Sequence, residues 1–385
     1  MNLLPARLST LSLFLSLSPL AAPASAREHL LSECREVKPK IQSAAPGDQI
    51  VLPNRECVLN TSIVVPTGVR ITGRESTTLV GRAAVRFFLL DIQPGAEGVT
   101  IEGLRLRLST SAVAIHATRP TNLRLSRLDI VGNLGSDPKD SAETSRSGLA
   151  VLVEGGIGIV AERLRVQETW GGLYFTMAPQ DLQVADNEFS RVSLASVLVG
   201  GTESNDACAK AADGEGAPPP KGVCAERIWI TGNRIDHPGF QSRFEAIPPG
   251  GDGITIDAAR SVVVQNNLIT DSNCYGMWIQ RVNKLTLSGN TVERGITAGI
   301  YVQVAAEAVV QHNAFNDQAG TGLLMQDADD VLVVNNTFRE GRLLVYTGSE
   351  RGLYAGNAFL KPRWGTTHDA SEATGVNANV VVQNK

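Results

Sequence analysis

Side chains suited to proton transfer occur close together in the middle of the sequence, at His237, Arg243, Asp257 and Arg281. A carboxylate or an imidazole can give or take a proton, and an arginine can neutralise a carboxylate next to the reacting carbon. Eliminative cleavage or epimerisation of an acidic polysaccharide requires both functions. These four residues are therefore the predicted catalytic residues if the protein is an enzyme.

Aromatic rings and polar side chains that could hold a sugar occur at related positions of the sequence. Rings stack on the apolar face of a pyranose, while amides and carboxylates bond to its hydroxyl groups. The predicted substrate-binding residues are Tyr174, Thr176, Thr255, Trp278, Gln280, Tyr301 and Gln303. The alternative is that they cover an ordinary sheet surface, because repeat proteins stack similar residues in any case.

The elements that position these residues are short repeats. Asn267, Asn290, Asn313 and Asn336 follow one another at intervals of 23 residues, and each ends a β-forming segment such as VVVQNN. The same column continues to Asn357 and, upstream, to Asn233, Asn187 and three leucines, Leu104, Leu128 and Leu164. A period of this length, one supersecondary unit long, predicts a solenoid.

Each repeat contains three apolar stretches of three to six residues separated by small or polar corners, with no room for a ten-residue helix. Such stretches are strands. The sequence predicts an all-β fold, a parallel β-helix of about ten or more coils. The stacked asparagines are predicted to hydrogen-bond along the axis and to adopt the left-handed backbone at a corner.

The first strands of successive coils can be aligned by their aliphatic second and fourth positions, which leaves the third and fifth positions facing outward. The third positions of successive coils hold Ala114, Ala150 and Tyr174, and further along the chain Trp278 and Tyr301. The fifth position begins with His116 and Leu152. We expect His116 to be a surface histidine several coils away from Asp257.

Composition restricts the class of protein. Residues 1–26 have Arg7, an apolar run and Ala24-Ser25-Ala26, which predicts a secretory signal peptide; a membrane anchor is the weaker alternative because the run is short. No other segment could span a bilayer. The net charge of −4 lacks the basic character of a nucleic-acid binder. We expect a periplasmic or secreted protein with a polysaccharide as its partner.

Five cysteines in an exported chain suggest two disulfides, Cys34–Cys57 and Cys208–Cys224, with Cys274 left free; the alternative is that some or all stay reduced. The sequence shows no identifiable metal site, so the cofactor stays open, with calcium a possibility. Residues 27–385 are predicted to be one β-helix domain, in which a helix at 28–45 caps the first coil.

The run APGDQIVLP followed by repeats such as GITIDAARSVVVQNNLI resembles the pectin-lyase-like superfamily of right-handed parallel β-helices. The resemblance covers nearly all the mature chain and implies a carbohydrate-active protein of the lyase, hydrolase, esterase or epimerase type, or a tailspike. No catalytic motif of its esterases, polygalacturonases or epimerases transfers to this sequence. Ile235-Asp236-His237 resembles a pectate-lyase tripeptide, but the surrounding residues do not match.

Three insertions interrupt the period, at 132–147, 201–225 and 236–252. All three adjoin the ends of first strands, where long loops would wall a cleft. The predicted function is an exported β-helix that binds, and cleaves or epimerises, an acidic polysaccharide. The alternative is a non-catalytic glycan-binding or cell-envelope β-helix. Hydrolysis fits less well, because Asp252 and Asp257 are expected at opposite ends of one strand and hydrolysis needs two carboxylates about 5–10 Å apart.

Overall fold

The computed structural model describes residues 26–82, 88–108, 112–133, 148–200, 223–239, 251–340, 342–345, 351–360, 367–369 and 380–382. Within them the chain forms one α-helix, α1 (Cys34–Gln42), and 35 strands. The N-terminal strands are β1 (Glu28–Leu30), β2 (Gln49–Val51), β3 (Glu56–Leu59), β4 (Ile63–Val65), β5 (Arg70–Thr72), β6 (Thr78–Gly81), β7 (Phe88–Ile92), β8 (Thr100–Glu102), β9 (Arg105–Leu108), β10 (Val113–Thr118), β11 (Arg124–Ser126) and β12 (Asp129–Val131).

The central strands are β13 (Leu149–Glu154), β14 (Ile157–Glu162), β15 (Arg165–Gln167), β16 (Gly171–Thr176), β17 (Gln180–Ala185), β18 (Glu188–Ser190), β19 (Val197–Gly200), β20 (Ala225–Thr231), β21 (Arg234–Asp236), β22 (Ile254–Gln265), β23 (Leu268–Thr270), β24 (Tyr275–Ser288), β25 (Thr291–Glu293) and β26 (Ala298–Gln311). The C-terminal strands are β27 (Ala314–Asn316), β28 (Thr321–Asp329), β29 (Leu332–Val334), β30 (Thr337–Arg339), β31 (Leu343–Val345), β32 (Leu353–Ala355), β33 (Ala358–Leu360), β34 (Thr367–Asp369) and β35 (Val380–Val382).

Each coil has a first, a second and a third strand, and each strand pairs in parallel with its equivalent in the next coil. The third strands form a 12-stranded sheet that runs from β3 to β33, so the described residues make about 12 coils. The first and second strands share a 23-stranded sheet, because β22, β24 and β26 continue around the bend between them.

The outward surfaces of the three sets of strands are named the first-strand, second-strand and third-strand faces. First strands are β4, β7, β10, β13, β16, β19, the N-terminal parts of β22, β24 and β26, and then β28, β31 and β34. Second strands are β2, β5, β8, β11, β14, β17, β20, the C-terminal parts of β22, β24 and β26, and then β29, β32 and β35.

The buried asparagines form a continuous ladder along the axis, as predicted. Each side-chain amide donates to Oδ1 of the next asparagine at 2.9–3.0 Å, and the backbone N–H donates to the same oxygen at 2.9–3.1 Å. Each amide also donates to a carbonyl of the preceding coil. The members are Asn187, Asn233, Asn267, Asn290, Asn313, Asn336 and Asn357, all at most 2% exposed.

The expected left-handed backbone at the ladder asparagines is wrong, because the residue before each of them makes the bend. Asn266 has φ 55°, His312 55° and Asn335 56°. In the pair Asn266–Asn267, the first residue turns the chain and stays exposed, while the second is buried in the ladder. The two asparagines therefore have different roles. Asn266 adopts the left-handed backbone of the bend, and Asn267 makes the buried hydrogen bonds of the ladder.

The N-terminal segment differs in part from the predicted helix at 28–45. Glu28–Leu30 forms β1, which pairs in parallel with β2, and α1 begins only at Cys34. The sequence signal for the later start is Glu33, which caps the helix together with Glu36 in a capping box. Val37 and Ile41 are fully buried in the core. That α1 caps the first coil stays a prediction.

The predicted disulfide Cys34–Cys57 is confirmed and ties the start of α1 to β3, with the two Cα atoms 5.2 Å apart. Cys224 is also disulfide-bonded, and its expected partner Cys208 lies outside the described residues. Cys274 is free, as expected. Among the helices of the described residues, none has the length and apolar character needed to cross a membrane.

The two neighbouring asparagines allow a direct test of the ladder. Asn267→Ala should lower the free energy of unfolding by about 2–4 kcal/mol, because it leaves buried groups of two coils without partners. Asn266→Gly should change it by less than about 1 kcal/mol, because glycine adopts the left-handed backbone readily. Urea unfolding curves of the two variants measure both values. Equal losses in the two variants would contradict the ladder as the source of the stability.

Candidate functional site

The seven predicted substrate-binding residues lie along the first strands, in two columns that run along the axis. Thr255 is the exception to their outward position, because it is 3% exposed and its hydroxyl donates to Asp252. One column holds Tyr174, Leu198, Thr255, Trp278, Tyr301 and Leu324. The other holds Thr176, Gly200, Asp257, Gln280, Gln303 and Gln326.

The predicted alignment is wrong by two residues at the N-terminal end of these columns. Tyr174 pairs with Leu152 rather than with Ala150, and Leu152 pairs with His116. Ala114 and Ala150 are fully buried, because the small alanines pack inward where the pattern alone could not distinguish the two sides. His116 therefore lies in the same column as Tyr174 and Trp278.

Three rings form a partly exposed cluster on this face, named the aromatic patch: Tyr275, Trp278 and Tyr301. The ring centroid of Tyr275 lies 6.2 Å from that of Trp278 and 5.2 Å from that of Tyr301. The Tyr301 hydroxyl donates to Oε1 of Gln326 at 2.5 Å. Rings thus lie beside a column of glutamine amides, which is the arrangement that the sugar-binding prediction requires.

Tyr174 contributes less open surface than predicted. Its ring lies over Gly171, where an added Cβ would come within 2.8 Å of the Tyr174 Cζ and hydroxyl oxygen. Burial raises the pKa of Tyr174, and the charge of Asp252 adds to this effect. The Tyr174 hydroxyl therefore packs beside the backbone at Gly171, where a ligand would reach little of it.

Asp257 and Arg281 are two of the four predicted catalytic residues, and the structure brings them together. Arg281 Nε donates to Asp257 Oδ1 at 2.8 Å, and a terminal nitrogen of Arg281 bonds to Oδ2. Their side chains are 15% and 32% exposed, so the pair is reachable from the first-strand face. Arg281 lies at the bend that follows the first strand, with φ 52°.

His237 lies at a different place, at the corner after the third strand β21. Its Nδ1 is 3.1 Å from Asp236 Oδ1, and its side chain is about half exposed. Its described neighbours are Asp236 and Asp271 rather than Asp257. Arg243 lies outside the described residues, as do most of the three predicted loops.

One carboxyl group that the sequence analysis set aside is central to this region. Asp252 is 1% exposed and accepts hydrogen bonds from the Thr255 hydroxyl at 3.0 Å and the Tyr275 N–H at 3.2 Å. Burial raises the pKa of Asp252 to about 6, although these bonds oppose the shift. Burial and the nearby Asp252 raise the pKa of the Cys274 thiol to about 12. Because Asp252 ties the end of the loop to the next coil, it acts as an anchor of the site.

A second cluster of ionisable groups lies further up the same face. His116 Nδ1 is 2.8 Å from Asp91 Oδ1, and its Nε2 is 3.1 Å from Glu154 Oε2. The imidazole stacks on Phe88 with ring centroids 3.9 Å apart. The sequence alone does not reveal this cluster, because its three ionisable members lie 25 and 38 residues apart.

Within the described residues, one group could hold a metal ion, although no metal ligands were predicted. Asp236, His237 and Asp271 each offer one ligand atom, and these atoms lie within 4.8 Å of one another. Both oxygens of Asp271 are engaged by Arg294, at 2.7 and 2.8 Å, and Arg294 together with His237 lowers the pKa of Asp271. A metal ion would have to compete with Arg294.

Comparison with known proteins places the chain among β-helices. Residues 222–363 match the family model described as the right handed beta helix region. No curated protein matches the sequence. The predicted resemblance to pectin-lyase-like β-helices is confirmed at the level of the fold.

Several solved structures share this fold. The family 28 exopolygalacturonase of Yersinia enterocolitica has a TM-score of 0.65 at 10% identity, covering 94% of this chain and 79% of its own. The catalytic unit of the GH87 α-1,3-glucanase of Streptomyces thermodiastaticus strain HF3-3 has a TM-score of 0.63 at 13% identity, covering 95% and 70%. Tailspike protein 3 of bacteriophage CBA120 has a TM-score of 0.53 at 12% identity, covering 91% and 58%.

The buried carboxyl of Asp252 should make stability depend on pH. Its pKa in the folded state lies above the ordinary value of 3.8, so its contribution to stability is fully present below about pH 4 and is lost as the pH rises through about 6. The expected loss is on the order of 3 kcal/mol. The thermal midpoint should fall between pH 4 and pH 7 by more in the native protein than in Asp252→Asn.

The control is Asp317→Asn, since Asp317 is exposed and does not share this environment. Its midpoint should follow that of the native protein across the pH range. An Asp252→Asn profile parallel to that of the native protein would show that Asp252 does not titrate in this window.

Proposed function

We propose that the protein binds a polysaccharide chain along the first-strand face. The observation that carries the proposal is the aromatic patch beside the amides of Gln280, Gln303 and Gln326, which are paired rung by rung. Successive rungs are about 4.8 Å apart, close to the advance of one sugar unit. A chain lying along the axis would meet a ring and an amide at two successive rungs, and the amide of Gln326 at the next.

The fold is consistent with a carbohydrate ligand, but it does not distinguish an acidic polysaccharide from a neutral one. By their printed descriptions, the similar structures include an exopolygalacturonase and an α-1,3-glucanase. The finer proposal is an acidic chain, because Arg281 is exposed enough to meet a sugar carboxylate. Asp257 already neutralises this arginine, so an acidic ligand would have to share or displace that ion pair.

A catalytic role is the further part of the proposal, and its residues are Asp257 and Arg281. When a uronate carboxylate takes the arginine, Asp257 is released beside the sugar as a candidate base. Elimination and epimerisation both begin with removal of the C5 proton, so both fit this pair. His237, at the corner next to the third-strand face, would act only if the chain extends around that corner.

The competing proposal is a non-catalytic glycan-binding or cell-envelope protein. It is favoured by the Asp257–Arg281 ion pair, because Arg281 already bonds to both carboxylate oxygens of Asp257. In both cases residues 1–26 are proposed to direct export to the periplasm or the medium. Loop residues, including Arg243, are proposed to wall the cleft.

Trp278 provides the test of binding. Titration with pectate, alginate, a glycosaminoglycan and α-1,3-glucan should show saturable binding to at least one polymer. Trp278→Ala should weaken that binding about ten-fold, because a stacked ring is worth roughly 1 kcal/mol or more. The matched control is Trp229→Ala, which removes an exposed tryptophan from the second-strand face. Equal weakening by both variants would contradict a ligand on the first-strand face.

A separate assay tests catalysis. Each polymer that binds is incubated with the protein, and unsaturated products are followed by ultraviolet absorbance and epimerisation by NMR. Loss of product with Asp257→Asn, while binding persists, would support the catalytic pair. Retained binding without any product from the native protein would favour the non-catalytic function.

A further inference from the structure

The second-strand face carries a line of outward, mainly apolar side chains that the carbohydrate site does not use. This line, named the apolar stripe, follows one column of the parallel sheet through eight coils. Trp229 is 39% exposed and Leu353 is 40% exposed, and most of the others are partly exposed. In order along the axis its members are Val160, Gln183, Trp229, Val263, Thr286, Val309, Leu332 and Leu353.

The size of the stripe fits a protein interface. Seven rung spacings of about 4.8 Å give a length of about 34 Å. With a width of about 20 Å from the strand and its two corners, the face offers about 700 Å², close to the ~800 Å² that each partner buries in a standard interface.

A row of charged residues borders the stripe at the corner between the first and second strands. All its members have left-handed backbone, with φ between 51° and 59°. Along the axis this charged row reads Asp181, Arg227, Ser261, Lys284, Glu307, Asp330 and Arg351. An ion pair within the chain lies at each end of the row. Arg227 donates to the two carboxylate oxygens of Asp181 at 2.5 and 2.9 Å, and Arg351 donates to those of Asp330 at 2.6 and 3.0 Å.

The charges at the two ends of the row are complementary to each other when the row is reversed. A two-fold axis that lies in the interface plane, perpendicular to the β-helix, places the charged row of one copy antiparallel against the same row of the other. With Lys284 at this axis, Asp181 faces Arg351 of the second copy, and Arg227 faces Asp330 of the second copy. Each of these two contacts occurs twice, and they outnumber the one like-charged contact of the row, which is Lys284 against Lys284 of the second copy. If the axis is moved by half a rung toward the C-terminus, Arg227 faces Arg351 of the second copy. If it is moved by half a rung toward the N-terminus, Asp181 faces Asp330 of the second copy. Both shifts bring like charges together.

The same axis also matches the apolar stripe to itself. Trp229 lies against Leu332 of the second copy, Val263 lies against Val309 of the second copy, and Thr286 lies on the axis. We propose that the second-strand face is the interface of an antiparallel homodimer. Both first-strand faces stay open in this dimer, so the proposal is independent of the carbohydrate site.

Exchanging the charges of one end pair tests this arrangement while keeping the ion pair within the chain. Asp330→Arg combined with Arg351→Asp puts like charges opposite Asp181 and Arg227 of the second copy. The two-fold axis makes each contact occur twice, so the dimer dissociation constant should rise at least ten-fold in sedimentation equilibrium. Adding Asp181→Arg and Arg227→Asp restores the opposite charges and should return the constant to within about three-fold of the native value.

Val309→Lys tests the apolar stripe, and it should give a monomer with an unchanged circular dichroism spectrum. Met177→Lys is the control, because Met177 is 54% exposed and lies outside the stripe. A native protein that is monomeric up to its solubility limit would overturn the proposal. So would a four-fold exchange that fails to restore association. A native monomer that binds a glycan or lipid vesicles through Val309 would assign the stripe to that ligand.

Discussion

Axial stacking at one spacing is the constraint on which the rest of the molecule depends. Parallel backbone pairing sets the distance between coils, but it would tolerate a slip of two residues without moving apolar side chains to the wrong side. The asparagine ladder removes that freedom, because each Oδ1 accepts from both the backbone and the side chain of its neighbour. A slipped coil would leave buried amides unpaired, so the ladder fixes the register of the outward columns as well.

Glycines at the start of the first strands leave room for the aromatic rings of the core, and the outward residues of the candidate site follow them in the same strands. An added Cβ at Gly299 would come within 2.8 Å of Phe315, and at Gly322 within 2.7 Å of Phe338. These rings belong to a stack in which Phe315, Phe338 and Phe359 lie 4.8 Å apart. Glycine at these positions lets the third-strand rings fill the interior. Two residues further along, Tyr301 and Leu324 then face outward in register.

The fold could be predicted from the sequence because the repeat is visible in the spacing of its residues. The interval of 23 residues and the ladder asparagines predicted the coils, their strands and the columns that hold Trp278 and Tyr301. It was not sufficient where the alternation fits two registers. Aliphatic residues occur at Leu149, Val151 and Val153, so the pattern allowed an alignment shifted by two residues, and this placed His116 in the wrong column. The anchor Asp252 was undervalued because its importance comes from burial, which the spacing of carboxylates along a strand does not reveal.

The ladder has a consequence for how such a chain can change over evolutionary time. Asn187 bonds to Asn233 across 46 residues with the same geometry as Asn267 to Asn290 across 23. The same hydrogen bonds of the ladder therefore form whether 23 or 46 residues separate two neighbouring asparagines. New segments can be acquired at the corners without disturbing the scaffold beneath them. A frame of this kind can change its ligand by exchanging peripheral segments while its interior remains the same.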